Sequence, residues 1–341
     1  MRILYAGTPA IAVPCLEALS EMELAGEGVI LAGVLTNPDA VRRHGRPEPS
    51  DVSAAAARLD AGRMERGLAP IVQLKPAKLD SRARDEAIDL WPDLLVSFAY
   101  GRIFGPSFLA LFLQGGINIH PSLLPKYRGA SPIPAQILAG DKKTGICIQR
   151  LAAEMDAGDI IAKDEFTLSG RETALSLSGT VSVRAARLLR ELLRDVCRDN
   201  KCYDGADFAS LARPQEGEAV YCRTIKKEDG LIDWNKSAVK IDAQIRAYTP
   251  WPLSFTCRGK DTLIILEAEP LEQAAIAGCI APETAAPPGT VLGVDKSRGI
   301  LIQTGDGILA VSRLQWQTKK ALDWKAFCNG ERGFINSCLS G

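Results

Sequence analysis

Asn118 and His120 close a short apolar run, Gly116-Ile117-Asn118-Ile119-His120, whose pattern predicts a β-strand. Alternation along a strand sends these two side chains to one face and Ile117 and Ile119 to the other. The Asn-x-His tripeptide therefore aims a neutral donor and an imidazole at one place. A carboxylate, Asp156, lies in Met155-Asp156-Ala157-Gly158-Asp159, a predicted loop between two further strands, from which it could return to the imidazole. Together these groups suit acyl transfer to an amine. The asparagine amide can donate to a developing oxyanion. The histidine can donate a hydrogen bond or shuttle a proton near neutral pH. The aspartate can fix the histidine tautomer and favour its charged form. Each residue also has a plainer reading: a histidine after a strand is more often structural, and a loop aspartate commonly caps an Asx-turn.

Other chemistries find less support. No Gly-x-Ser-x-Gly elbow stands at a strand-to-helix turn, as a serine hydrolase of the α/β type requires. The opening Gly7-Thr8-Pro9 lacks the glycine spacing of a dinucleotide site. Two histidines and nine dispersed cysteines without a Cys-x-x-Cys pair predict reduced thiols, a cytoplasmic setting and no metal site. Lys+Arg and Asp+Glu both total 41, so bulk charge favours no polyanionic partner, and any such partner needs a local basic patch. No stretch has the ~18 apolar residues of a membrane span, and the amino terminus reads as a first buried strand rather than a signal peptide.

The elements that must position these groups follow from the pattern. With 341 residues the chain exceeds one core, and its 46% hydrophobic content supports two domains. Apolar, β-branched runs at 3–6, 29–36, 71–74, 94–98 and 116–119 alternate with helical spacing, including a helix at 81–91 and a short one at 104–113. Near-continuous apolar strands separated by helices predict an α/β doubly wound, mostly parallel sheet. Strands at 146–151 and 160–168 and a long helix at 172–198 complete a first domain, 1–198. Residues 199–219 are polar and punctuated by Asp-Gly, Arg-Pro and Glu-Gly, as a linker would be. The remainder, 220–341, shows a helix at 236–247, short strands, and a Gly305-Asp306-Gly307 hairpin signal, which predicts a small antiparallel β-barrel of the OB type.

The run from Gly116 through His120, Pro121, Ser122, Leu123, Leu124 and Pro125 to Lys126-Tyr127-Arg128-Gly129, with Met155-Asp156-Ala157-Gly158-Asp159 at matching separation, resembles the signature of the 10-formyltetrahydrofolate-dependent formyltransferases. The resemblance assigns Asn118, His120 and Asp156 to that family's catalytic constellation. It implies that Ser122, Leu123, Leu124 and Pro125 contact the folate, and that Phe98, Ala99, Tyr100 and Gly101 border the same pocket. Ala6-Gly7-Thr8-Pro9 at the start, Arg128-Gly129-Ala130-Ser131-Pro132-Ile133, Ile232-Asp233-Trp234, and Ala247-Tyr248-Thr249-Pro250-Trp251-Pro252 extend the likeness nearly end to end. They resemble the branch acting on initiator methionyl-tRNA, with 10-formyltetrahydrofolate as donor. For that branch the loop after the second strand enters the acceptor arm, which would be residues 37–50 with Arg42, Arg43 and Arg46; Lys126 and Arg128 are further candidates for tRNA contact. This loop departs from the family's lysine-rich continuation at Pro47-Glu48-Pro49. A monomer is expected. The alternatives are a relative acting on a small amine such as a sugar nucleotide, and a catalytically silent tRNA-binding protein.

Overall fold

A computed structural model of the chain describes residues 1–41, 45, 47–197, 207–272, 286–331 and 333–340. Contacts divide the chain into two compact units. The first is Met1–Pro132 with Lys143–Thr167 and Ser178–Arg223, and the second is Ile133–Lys142 with Leu168–Leu177 and Thr224–Gly341.

In chain order the first elements are β1 (Arg2–Gly7), α1 (Val13–Leu24), β2 (Ile30–Leu35), β3 (Ala40–Val41), β4 (Pro47–Glu48), α2 (Asp51–Glu65), β5 (Gln73–Leu74), α3 (Ser81–Ile88), β6 (Leu94–Phe98), α4 (Pro106–Leu109) and β7 (Gly116–His120). There follow β8 (Arg128–Gly129), α5 (Pro132–Ala139), β9 (Lys143–Arg150), β10 (Ile160–Thr167), α6 (Ala174–Cys197), α7 (Asp207–Leu211) and β11 (Tyr221–Cys222). The main sheet has the order β10-β9-β7-β6-β1-β2-β5. From β5 to β7 neighbouring strands are parallel, whereas β9 runs antiparallel to both β7 and β10. All of β6 is buried, as its unbroken apolar run predicts for a strand covered on both faces. Chain order reverses on either side of β1, with β2 and β5 added one way and β6 and β7 the other, which opens the crevice where such sheets bind ligands.

Local chemistry sets the helix limits. The helix expected to reach residue 91 stops at Ile88, because Trp91 adopts φ +50° ahead of Pro92. Helix α2 is not predicted by the pattern, because its alanine-rich face carries little hydrophobic period. Its start is nonetheless capped, with Ser50 Oγ accepting from the Ser53 N–H at 3.2 Å. Two ion pairs tie α6 to α1 and the turn after it: Arg190 to Glu21, and Arg194 to Glu27 at 2.7 Å. Part of the segment expected to be a linker is folded onto this unit: Arg213 exchanges both backbone hydrogen bonds with Ile160, at 2.8 and 2.9 Å.

The second unit adds α8 (Ala238–Ala247), β12 (Ser254–Arg258), β13 (Asp261–Leu271), β14 (Val291–Asp295), β15 (Gly299–Gln303), β16 (Ile308–Trp316), β17 (Leu322–Asp323) and α9 (Trp324–Gly330). Its antiparallel sheet has the order β12-β13-β16-β15-β14, with β17 on β16. The two sheet edges meet the same carboxy-terminal residues. Cys257 of β12 exchanges backbone hydrogen bonds with Ser340 (2.8 and 2.9 Å), and Val291 of β14 bonds Ser337 and Asn336 (2.9 and 2.8 Å). One segment thus satisfies both edges, the problem that barrel closure solves in small β-domains. Ile241 and Ile245 of α8 and Phe327 of α9 are buried in one core with Ile265, Ile302 and Leu309. Trp316 packs against that core, whereas Trp251 is 56% exposed.

Candidate active site

The strand β7 delivers two polar side chains as its alternation requires. Ile117 and Ile119 are each 1% exposed in the core, whereas Asn118 is half-buried and His120 is 4% exposed. Across the sheet, Asn118 is paired with Ser97 on β6 and Gln149 on β9. After β9 the chain turns back through a loop closed by the Arg150 N–H donating to Asp159 O at 2.9 Å. Within that loop Asp156 takes φ +54°, a left-handed conformation that aspartate tolerates better than most residues and that tends to occur at functional sites. Gly158 has no alternative there, since a Cβ would lie 1.8 Å from Arg150 O.

The turn places the Asp156 carboxylate against both β7 side chains. Oδ1 accepts from Gln149 Nε2 at 3.0 Å and, more weakly, from Asn118 Nδ2 at 3.4 Å. Oδ2 accepts the Gly129 N–H at 2.9 Å and stands 3.5 Å from His120 Nδ1. On the other side of the ring, His120 Nε2 is 2.9 Å from Tyr127 O. A carbonyl only accepts, so Nε2 carries the proton in the neutral ring and Nδ1 presents its lone pair to the carboxylate. Burial pushes the His120 pKa below its ordinary value; the Asp156 charge and the Tyr127 carbonyl pull it back without overcoming burial. A proton reaching this pair would settle on Nδ1, between imidazole and carboxylate.

The loop after β7 is self-bonded: Ser122 N–H donates to His120 O at 2.9 Å and Ser122 Oγ to Lys126 O at 2.6 Å. Leu124 is buried and Leu123 half-buried. Of the residues after β6, Phe98 and Tyr100 are core side chains, and Tyr100 stacks on Phe104 at 5.2 Å. Only Ala99 and Gly101, at φ +51° and +83°, come to the surface. Arg42, Arg43 and Arg46 lie outside the described residues. Lys126 is exposed. Arg128 is turned inward: its Nε and Nη2 donate to Gln215 Oε1 at 3.1 and 2.8 Å, its Nη1 reaches Tyr221 Oη at 3.2 Å, and Glu154 is 3.5 Å away.

Gln149 and Gln215, neither of them a candidate from the sequence, also contact Asp156. Gln149 left a legible mark, a polar residue inside the apolar run Ile146-Cys147-Ile148-Gln149, whereas Gln215 sits in a uniformly polar stretch and left none.

An open doubly wound sheet with a polar donor, a buried imidazole and a carboxylate at the carboxyl end of one strand defines a group-transfer enzyme of the α/β class. Residues 1–193 match the family model described as formyl transferase, and residues 224–332 match that of the formyl transferase C-terminal domain; the chain belongs to the formyl transferase family. It is 47% identical to methionyl-tRNA formyltransferase of Treponema denticola over 340 residues, covering 98% of each chain. Over 331 residues it is 41% identical to the enzyme of the same name from Treponema pallidum, covering 97% of this chain and 96% of that one. The crystal structure of HypX from Aquifex aeolicus in complex with tetrahydrofolic acid shares the fold, with a TM-score of 0.57 at 17% identity; the match covers 98% of this chain and 48% of HypX. Among the described residues no helix is long and apolar enough to cross a membrane, and no group of three or more His, Cys, Asp or Glu is placed to hold a metal ion.

Proposed function

We propose that this enzyme transfers the formyl group of 10-formyltetrahydrofolate to the free α-amino group of initiator methionyl-tRNA, yielding the N-formylated aminoacyl-tRNA used to start translation. The observation that carries this reading is the convergence of Asn118, His120 and Asp156 in a chain colinear over nearly its full length with methionyl-tRNA formyltransferases. In the proposed site, the exposed residues Ala99 and Gly101 and the Leu123, Leu124 and Pro125 wall flank the folate. The folate supplies an activated formyl carbon, and the chain's residues do the rest. Asn118 has a second amide hydrogen beyond the one shared with Asp156, and donates it to the formyl oxygen as negative charge develops there. His120 takes the proton lost by the attacking amine on Nδ1, where the Asp156 charge stabilises the cation, and returns it to the leaving nitrogen. Its Nε2–H is engaged by Tyr127 O, so His120 acts on the proton and Asn118 on the oxyanion.

We assign Asn118, His120 and Asp156 to a catalytic domain, residues 1–198, and residues 220–341 to tRNA binding. Lys126, with Arg42, Arg43 and Arg46, is assigned to phosphate or base contacts; Arg128 is assigned a structural place in the site. A cytoplasmic monomer fits this role. The decisive experiment incubates the protein and 10-formyltetrahydrofolate with methionyl initiator tRNA, methionyl elongator tRNA, glycinamide ribonucleotide and an aminosugar nucleotide, and detects formylated product by mass spectrometry. Product on initiator tRNA alone supports the reading; turnover only with a small amine keeps the site chemistry and overturns the acceptor.

A further inference from the structure

Gln215 lies after the 1–193 match and before the 224–332 match, in the stretch that connects them. Every polar atom of its side chain is used inside the site. Nε2 is 2.8 Å from Asp156 O, 2.8 Å from Gly158 O and 3.2 Å from Gln149 Oε1. Oε1 accepts two guanidinium hydrogens from Arg128, at 3.1 and 2.8 Å. The backbone carrying it is pinned on both sides. Arg213 pairs with Ile160 before it, and β11 pairs in parallel with β8 after it. Gly129 of β8 meets β11 so closely that a Cβ would lie 2.3 Å from Cys222 O, and the same Gly129 N–H holds Asp156 Oδ2.

These contacts bear on a strained turn. Asp156 holds φ +54° although it has a side chain, and such a conformation persists only where its surroundings over-determine it. The carbonyls of Asp156 and Gly158, on either side of Ala157, both face the Gln215 amide, and removing that donor frees both at once. We infer that Gln215 is a positioning residue: it holds the Asp156 turn in the conformation that aims the carboxylate at His120, and through Arg128 it locks that turn to the strand supplying the Gly129 N–H. The stretch joining the two family modules is thereby part of the active site. The inference rests on the reading of Asp156 as the partner of His120.

The test compares wild type, Gln215→Glu, Gln215→Ala, Asp156→Asn and the double variant Gln215→Glu/Asp156→Asn in formyl transfer. Glutamate preserves shape and the acceptor for Arg128 but removes both N–H donors. The expected result for Gln215→Glu is a kcat lower by about 10²-fold, the cost of a ~1 Å misplacement of a catalytic group. KM for 10-formyltetrahydrofolate should stay within about threefold of wild type, because the interaction removed belongs to the transition state. In the Asp156→Asn background the same change should cost less than about threefold, since the group being positioned is already disabled. A residue that merely supports folding would lower the unfolding midpoint and cost the same factor in both backgrounds, which would overturn the inference. Wild-type kcat in Gln215→Glu would overturn it as well. If Asp156→Asn itself turns over like wild type, the underlying reading of Asp156 fails, and the inference falls with it by a separate route. Gln215→Ala, which also frees Arg128, should be at least as impaired as Gln215→Glu.

Discussion

Replacing Asp156 by Asn removes one charge while changing almost nothing in size, and the structure sets how much that charge is worth. Its Oδ2 is 3.5 Å from His120 Nδ1, a distance at which a full charge stabilises an imidazolium by about 5 kcal/mol at an effective dielectric near 20. The net loss is smaller, because the new amide can still present a dipole to the ring. Taking roughly 3–4 kcal/mol as the part felt in the transition state, kcat should fall by about 10²–10³-fold. There is a second, separable cost. The carboxylate accepts on both oxygens, from Gln149 and Asn118 on one and from Gly129 on the other, and an amide can accept on only one. Whichever way it turns, a donor faces a donor, so stability should drop by about 1–3 kcal/mol. The assay is steady-state formyl transfer to methionyl initiator tRNA, with the folded fraction measured by denaturant unfolding and both KM values determined. A kcat within about threefold of wild type, at full folding, would refute the electrostatic role, since no placement of a neutral amide recovers the charge interaction.

Asn118→Ala removes the proposed oxyanion donor and should reduce kcat about 10²–10³-fold with the pH profile unchanged; a large KM effect with intact kcat would assign Asn118 to binding instead. His120→Ala should cost about 10²–10⁴-fold, and near-wild-type turnover would remove His120 from the chemistry. Stability should also depend on pH through His120. Burial holds its folded pKa below the ordinary 6.5, so the unfolded chain binds the proton first, and stability is full above 6.5 and declines as pH falls below it. His120→Gln should flatten that acid-side decline in thermal unfolding; an identical slope would place the titrating group elsewhere. Replacing Arg42, Arg43 and Arg46 by Ala should raise KM for tRNA and shallow the log–log salt dependence by roughly 0.7–0.9 for each phosphate no longer neutralised, and an unchanged slope would exclude those arginines from the interface.

Periodicity and composition were enough to read the doubly wound sheet, because its central strands β1 and β6 are almost wholly buried and their apolar runs are short. They also placed β7 and gave Asn118 and His120 a common face. They could not give strand direction: β9 carries the same kind of apolar run as β6, yet runs antiparallel to β7. Helix α2 was illegible because alanine faces have little hydrophobic contrast, although its cap is ordinary. The polarity that made residues 199–219 look like a linker has a different cause at Gln215, whose side-chain amide is spent on the Asp156 turn.

By itself the sequence determined the strands of the main sheet, the identity of the three candidate catalytic residues and the likeness to formyl transferases, because each of these depends on residue type and local spacing. Tertiary structure alone decided which nitrogen of His120 carries the proton, that Arg128 points inward, that Phe98 and Tyr100 are core residues, and that Gln149 and Gln215 brace Asp156. Those facts are relations between residues far apart in the chain, such as Arg128 and Gln215, 87 positions apart. Hydrogen-bond direction and burial depend on which groups meet after folding, and no local pattern along the chain encodes that meeting.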